Sequence, residues 1–235
     1  MYRIVNKEAL KPTVILYEIE APMVAKKAQP GQFIILRVDE NGERVPITIH
    51  DYDREKGTVT IIVQTVGATT EKLSHKQAGD YLQDFVGPLG VPTHTEGKKK
   101  VCVVGGGVGC AIAYPVLKKF HDCGAEVHAV VGFKNKDVVI LEDKFKAVSS
   151  VLKVCTDDGS YGQKGLVTDA LKELIEEGNH HELMAKKGKY YDLFTTQAKR
   201  YLEGGRDVDE EDAPPPRRPR GPREGGGRPP RRFEE

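Results

Sequence analysis

Between Val101 and Ala113 the chain runs from four apolar residues, Val101-Cys102-Val103-Val104, through Gly105-Gly106-Gly107-Val108-Gly109 into Cys110-Ala111-Ile112-Ala113. That order reads as a buried strand, a tight glycine turn and the first turns of a helix, and it lets backbone N–H groups at a helix N-terminus approach a pyrophosphate. The spacing departs from the usual G-x-G-x-x-G/A, because Cys110 stands where the last small residue belongs. About twenty residues on, where a ribose-binding acid is expected, the chain reads Ala129-Val130-Val131-Gly132-Phe133-Lys134 with no carboxylate. An ordinary Rossmann dehydrogenase is therefore disfavoured, and a purely structural strand-to-helix turn stays open.

The rest of the chain divides at about Gly97. Before it, Thr13 to Ile19, Gln32 to Val38, Arg44 to His50 and Thr58 to Val66 read as strands, with turns at Pro30-Gly31 and Asn41-Gly42. Short strands at near-regular spacing predict an antiparallel sandwich or barrel. Only Thr70 to Lys76 reads as helix there, and Phe85 to Gly90 reads as a connecting loop. From Lys98 onward strands and helices alternate: a helix over Cys110 to His121, a strand over Glu126 to Val131, a helix over Val138 to Ala147, a strand over Ser150 to Thr156 and an amphipathic helix over Leu166 to Glu177. Alternation of this kind predicts a parallel sheet that presents ligands at the carboxyl ends of its strands.

Composition narrows the function. The chain has 235 residues, 38% hydrophobic and 30% charged, with a formal charge of +1, so it has material for a core and no global pull toward nucleic acid or membrane. Met1 to Leu10 lacks a signal-peptide core and no window approaches a membrane span, which makes a cytoplasmic protein the expectation. Cys102, Cys110, Cys123 and Cys155 form no C-x-x-C pair and read as reduced, packed thiols.

Several stretches carry chemistry. In Arg44-Val45-Pro46-Ile47-Thr48-Ile49 a guanidinium able to grip phosphate shares a strand with a hydroxyl, although an exposed strand arginine is the plainer reading. Gly67-Ala68-Thr69-Thr70 opens a helix, as an anion site or a simple N-cap. Thr156-Asp157-Asp158-Gly159-Ser160 ends the third parallel strand, where neighbouring aspartates point in opposite directions. One of them is a candidate partner for ribose or nicotinamide, with turn capping as the alternative.

Taken in order, Arg44-Val45-Pro46-Ile47-Thr48, Gly67-Ala68-Thr69-Thr70, Gly87-Pro88-Leu89-Gly90, Gly105-Gly106-Gly107-Val108-Gly109 and Thr156-Asp157-Asp158-Gly159-Ser160 resemble the ferredoxin–NADP reductase superfamily. The pattern is similar in particular to the small (alpha) subunit of NADH-dependent ferredoxin:NADP oxidoreductase, also labelled sulfide dehydrogenase beta subunit, and to the electron transfer subunit of dihydroorotate dehydrogenase. The resemblance implies an FAD-binding β-barrel over residues 1–97 and an α/β parallel-sheet NAD(P)-binding domain over 98–178. It implies that Arg44, Pro46, Ile47 and Thr48 line FAD and that Gly67, Thr69 and Thr70 hold its phosphates. Gly105, Gly107, Val108 and Gly109 would receive NADH or NADPH, with Asp157, Asp158, Gly159 and Ser160 near the ribose or nicotinamide. Hydride would pass from nicotinamide to flavin without a side-chain acid or base, and electrons would pass on to a larger flavin/iron–sulfur subunit or to ferredoxin. Lys134 and Lys136 favour a 2′-phosphate electrostatically, whereas the family pattern points to NADH.

After Gly178 the resemblance stops. The [2Fe–2S] cluster expected of the family has no cysteine ligands after Cys155, and the nucleotide domain is truncated, leaving the edge beside Val101 to Val104 uncovered. Residues 178–202 resemble the C-terminal end of an ABC-transporter ATPase domain, but the chain has no P-loop, and the junction suggests a chimera. Over 179–203 a helix is expected, and over 204–235 a disordered Pro/Arg/Gly-rich tail. The competing readings are a flavoprotein electron-transfer subunit, a catalytically impaired FAD-binding interaction protein, and the electron transfer subunit of dihydroorotate dehydrogenase.

Overall fold

The structure, a computed structural model, describes residues 1–174 together with 184, 185, 187, 191 and 195. The expected helix over 179–203, apart from those five residues, and the tail over 204–235 lie outside the described residues. Met1–Glu177 forms one compact unit, and both sheets described below belong to it.

The first sheet is built from β1 (Tyr2–Lys11), β2 (Val14–Glu20), β3 (Phe33–Arg37), β4 (Val45–Asp53), β5 (Thr58–Gln64), β6 (Tyr81–Leu82) and β7 (Asp84–Leu89). Its order is β6-β1-β2-β5-β4-β3-β7, with every pair antiparallel. The two outermost strands are separated in sequence by Gln83 alone, whose N–H donates to the carbonyl of Arg37 at 3.0 Å. One residue thus joins both ends of a seven-stranded sheet, which must curl into a nearly closed barrel. Alternate residues point inward, and Ile4, Tyr17, Ile34, Leu36, Ile61 and Phe85 are buried to 1% exposure or less. A helix, α2 (Ala68–Ser74), caps the barrel, its Leu73 carbonyl accepting from the Tyr17 hydroxyl at 3.0 Å. Burial pushes the Tyr17 phenol up to about 12, so it stays a donor.

Two expectations in the barrel need correction. Phe85 to Gly90 is not a connecting loop: Asp84–Leu89 is the strand that pairs with β3. Its Gly and Pro residues disguise it, and an edge position tolerates them. A second helix, α1 (Pro22–Lys27), was also not expected. Six residues are too few to show helical periodicity, but Pro22 fits the first turn, where its missing N–H costs nothing, and Val24 and Ala25 are buried.

The second sheet follows the expected alternation: β8 (Lys100–Gly106), α3 (Cys110–Asp122), β9 (Glu126–Phe133), α4 (Glu142–Val148), β10 (Val151–Thr156), β11 (Gln163–Lys164) and α5 (Val167–Leu174). Its order is β11-β10-β9-β8, all parallel. The helix expected from Val138 starts only at Glu142. Lys136–Val138 is a single 3-10 turn, and Leu141 adopts φ 60° before α4 begins. The Val138-Val139-Ile140 run is apolar because Ile140 and Phe145 both enter the core, not because one helix spans them. Among the described residues β8 is an edge strand, with Cys102 exposed and Val104 40% exposed. No helix of the described residues is long and apolar enough to cross a membrane.

The strand assignment of β7 gives a direct test. Phe85→Ala should lower the unfolding free energy by about 3–5 kcal/mol in a denaturant titration, whereas a residue in a surface linker would change it by about 0.5 kcal/mol or less.

Candidate functional site

The glycine turn is shaped by division of labour. A Cβ on Gly105 would stand 3.1 Å from Cys110 Sγ and 3.3 Å from Ala113 Cβ, so this glycine lets α3 lie against β8. Gly107 has φ +52°, the left-handed region that favours glycine. Gly106 and Gly109 have no atoms within 4 Å of where a Cβ would stand, and their surface is open.

Beside this turn lies a cavity of about 220 Å³. Its wall on the barrel side is Pro46, Ile47 and Thr48 from β4 with Ile62, Val63 and Gln64 from β5. Val66 and Thr70 close it at the start of α2, and Val108, Ala111 and Ile112 face them from the turn and α3. Of the residues singled out from the sequence, Pro46, Ile47, Thr48, Thr70 and Val108 therefore meet in one cleft. The exposed apolar residues Val66 and Ile112 stand at its mouth, 77% and 49% exposed.

The remaining candidates surround this cleft or lie apart from it. Arg44 does not line it; its exposed guanidinium is 3.4 Å from the Asp84 carboxylate, which also accepts from Arg37 Nε at 2.8 Å. Gly67 and Thr69 flank Thr70, whose hydroxyl accepts from the N–H groups of Val66 and Gly67 and donates to the Gly67 carbonyl at 2.9 Å. That hydroxyl is committed to the cap, so the anion-binding groups left at this end are the amides of the first helical turn. Asp157, Asp158, Gly159 and Ser160 sit at the end of β10, two strands and about 10 Å across the sheet from β8, on the same carboxyl edge as the glycine turn. There Asp158 caps its own turn by accepting from Ser160 N–H at 2.9 Å, and hydrogen bonds from Ser160 hold its carboxyl below the usual range. Ser160 Oγ in turn accepts from Lys136 N–H at 2.8 Å. Asp157 is exposed at that edge, and its N–H donates to the Phe133 carbonyl at 3.0 Å.

Ile62, Val63, Gln64, Val66, Ala111 and Ile112 were not foreseen as site residues. Gln64 had a usable signal, a polar side chain closing an apolar strand three residues before Gly67; the others owe their place to packing of α3 on the barrel. His50 was also missed. It is 1% exposed, its Nδ1 lies 2.8 Å from the Ala111 carbonyl, and burial pushes its pKa down to about 4. Burial likewise pushes the Cys110 thiol up to about 12, which makes it a packed, unreactive group. Among the described residues no cluster of three or more His, Cys, Asp or Glu side chains forms a metal site.

No protein-family profile matches the chain. It is 45% identical over 174 residues to a dihydroorotate dehydrogenase B (NAD(+)) electron transfer subunit homolog of Thermotoga maritima, covering 74% of this chain and 61% of that protein. It is 35% identical over 177 residues to the dihydroorotate dehydrogenase B (NAD(+)) electron transfer subunit of Streptococcus pneumoniae, covering 73% and 68%. Among solved structures it superimposes with a TM-score of 0.71 on a chain of the flavin-based, electron-bifurcating NADH-dependent reduced ferredoxin-NADP oxidoreductase. The two are 43% identical, with 76% of this chain and 64% of that one covered. The chain thus spans less than two thirds of the length of the Thermotoga relative.

The buried imidazole predicts a pH dependence. The folded pKa of His50 lies below its ordinary 6.5, so its contribution to stability is complete above about pH 6.5 and drains away as pH falls toward about 4. Asp51, Lys118, Lys144 and Tyr114 are the titratable groups around it. The stability difference between wild type and His50→Asn, which cannot titrate, should narrow over that interval in urea titrations at stepped pH.

Proposed function

The chain belongs to the family of dihydroorotate dehydrogenase B electron transfer subunits and has a ferredoxin reductase-like fold, and on that premise we propose that it is an FAD-dependent NAD(P)H oxidoreductase subunit. It would take hydride from the nicotinamide nucleotide and hand electrons to a partner. The observation that carries this reading is the cleft itself, in which Pro46-Ile47-Thr48 of one sheet faces Val108 and the glycine turn of the other.

FAD fits the residues present. The cleft offers a mostly apolar slot for a flat ring, Gly67 and Gly109 have open space where a Cβ would stand, and Arg44 is exposed and free to exchange Asp84 for a phosphate. When bound, FAD would supply the two-electron chemistry, accepting hydride from the nicotinamide. The chain's own residues bind and orient. Pro46, Ile47 and Thr48 line the ring, Arg44 pairs with the diphosphate, and the first-turn amides of α2, which Gly67, Thr69 and Thr70 shape, donate to it. Gly105, Gly107, Val108 and Gly109 seat the nicotinamide nucleotide, while Asp157, Asp158, Gly159 and Ser160 hold its ribose or nicotinamide. Val66 and Ile112 shield the mouth from water.

The described residues do not fit a [2Fe–2S] cluster: two of the four cysteines are buried, and no three metal ligands come together among the described residues. A larger flavin/iron–sulfur subunit or ferredoxin is the acceptor class proposed. No disulfide joins the cysteines of the described residues, which supports a reducing compartment, the cytoplasm. A second reading, an FAD-binding interaction protein without turnover, is favoured by the β8 edge, which no strand of the described residues pairs.

The absorption spectrum of the purified chain separates the two. A flavin spectrum that bleaches on anaerobic addition of NADH or NADPH supports hydride transfer and ranks the nucleotides; one that persists supports the interaction protein; a chain that stays colourless with added FAD sinks both. In the active case Gly109→Val should leave the melting temperature nearly unchanged, because φ is −59° and the space ahead is open. It should nonetheless raise the nucleotide concentration needed for bleaching about tenfold or more by filling the approach to the turn.

A further inference from the structure

Helix α3 carries a proline where the helix needs a donor. Pro115 has no N–H, so the carbonyl of Ala111, four residues earlier, is denied the amide that would close its turn. The group facing that carbonyl comes from the barrel: His50 Nδ1 of β4, at 2.8 Å. A carbonyl partner requires the proton on Nδ1, which leaves Nε2 as the acceptor, 3.4 Å from Lys144 Nζ of α4. The imidazole stacks on Tyr114 of α3 at 5.4 Å, and Tyr114 meets Phe145 of α4 edge-on at 5.6 Å. His50 is thus gripped by α3 and α4 while it stands on a barrel strand.

Its position along the chain matters. His50 is two residues beyond Thr48, which lines the cleft on the barrel side; Ala111 is two residues beyond Gly109 and lines the cleft opposite. We propose that His50 is a positioning residue for the hydride transfer inferred above. By supplying the hydrogen bond that Pro115 withholds, it locks the first turn of α3, and with it the Gly105–Gly109 turn, at one spacing from the flavin-lining part of β4. Were residue 115 to have an N–H, the Ala111 carbonyl would be satisfied inside its own helix. With proline, any slip between the two sheets leaves a buried carbonyl and a buried imidazole without partners, a costly state. Transfer between two bound rings is sensitive to displacements of about 1 Å, so a tie of this kind acts on rate.

The inference rests on the flavoprotein reading and is tested on the FAD-loaded full chain by stopped-flow loss of flavin absorbance with saturating NADH or NADPH. The variants are His50→Leu, which removes the donor; His50→Asn, which keeps an amide nitrogen near the place of Nδ1; and His50→Leu combined with Pro115→Ala, which restores a helical donor to Ala111. We expect His50→Leu to slow the limiting rate about tenfold or more with flavin content retained, and His50→Asn to stay near wild type. The double variant should recover thermal stability but not rate, because the carbonyl is satisfied while the sheets are no longer tied. Should His50→Leu alone fail to fold, the double variant makes the same comparison. A limiting rate within about twofold of wild type in either variant lacking the donor overturns the proposal, since a structural hydrogen bond alone would then account for His50. A wild-type chain that takes up no flavin, or whose flavin neither nucleotide bleaches, overturns the reading beneath it and is recognised before any variant is made.

Discussion

Val14 and Ile62 belong to barrel strands yet are buried in the core beneath α3, alongside Cys110, Ala111, Tyr114 and Leu117. This shared apolar core fixes the barrel and the parallel sheet against each other, and the candidate chemistry follows from it. The cleft exists because β4 and β5 on one side and α3 with its glycine turn on the other are pressed together there. Burial of this seam also explains the state of its titratable groups: an imidazole driven neutral and a thiol kept protonated. Neither is suited to proton transfer near neutral pH. That accords with a site whose residues hold and align groups rather than react themselves.

The glycine turn illustrates how one motif serves packing, backbone geometry and access at once. Gly105 admits α3 to the strand, Gly107 takes the left-handed conformation, and Gly109 leaves the approach clear. Cys110, which breaks the usual spacing, is fully buried against Gly105, so a small thiol takes the packing place of the missing glycine or alanine.

The identity to dihydroorotate dehydrogenase electron transfer subunits is carried by about three quarters of this chain and less than two thirds of the Thermotoga relative. Within the described residues the parallel sheet ends at β8, with apolar side chains of that strand exposed. Among the described residues this edge presents backbone groups that no described strand pairs, as well as apolar surface.

The sequence by itself determined the two-sheet architecture, since short alternating strands and a strand–helix alternation have distinct hydrophobic periods. It also located the glycine turn, the Pro46-Ile47-Thr48 strand and the β10 end, because each combines residues with special backbone or hydrogen-bonding properties. Strand β7 was hidden by Gly87 and Pro88, α1 by its shortness, and the start of α4 by an apolar run that packs without being helical. Only the tertiary structure decided which candidates share a cleft: Thr70 and Val108 do, whereas Arg44 turns to Asp84 and Asp158 caps its own loop. Only it paired His50 with Ala111, 61 residues apart. Periodicity and motif spacing report on neighbours along the chain, but a hydrogen bond between a strand of one sheet and a helix of the other depends on how two separately formed surfaces pack.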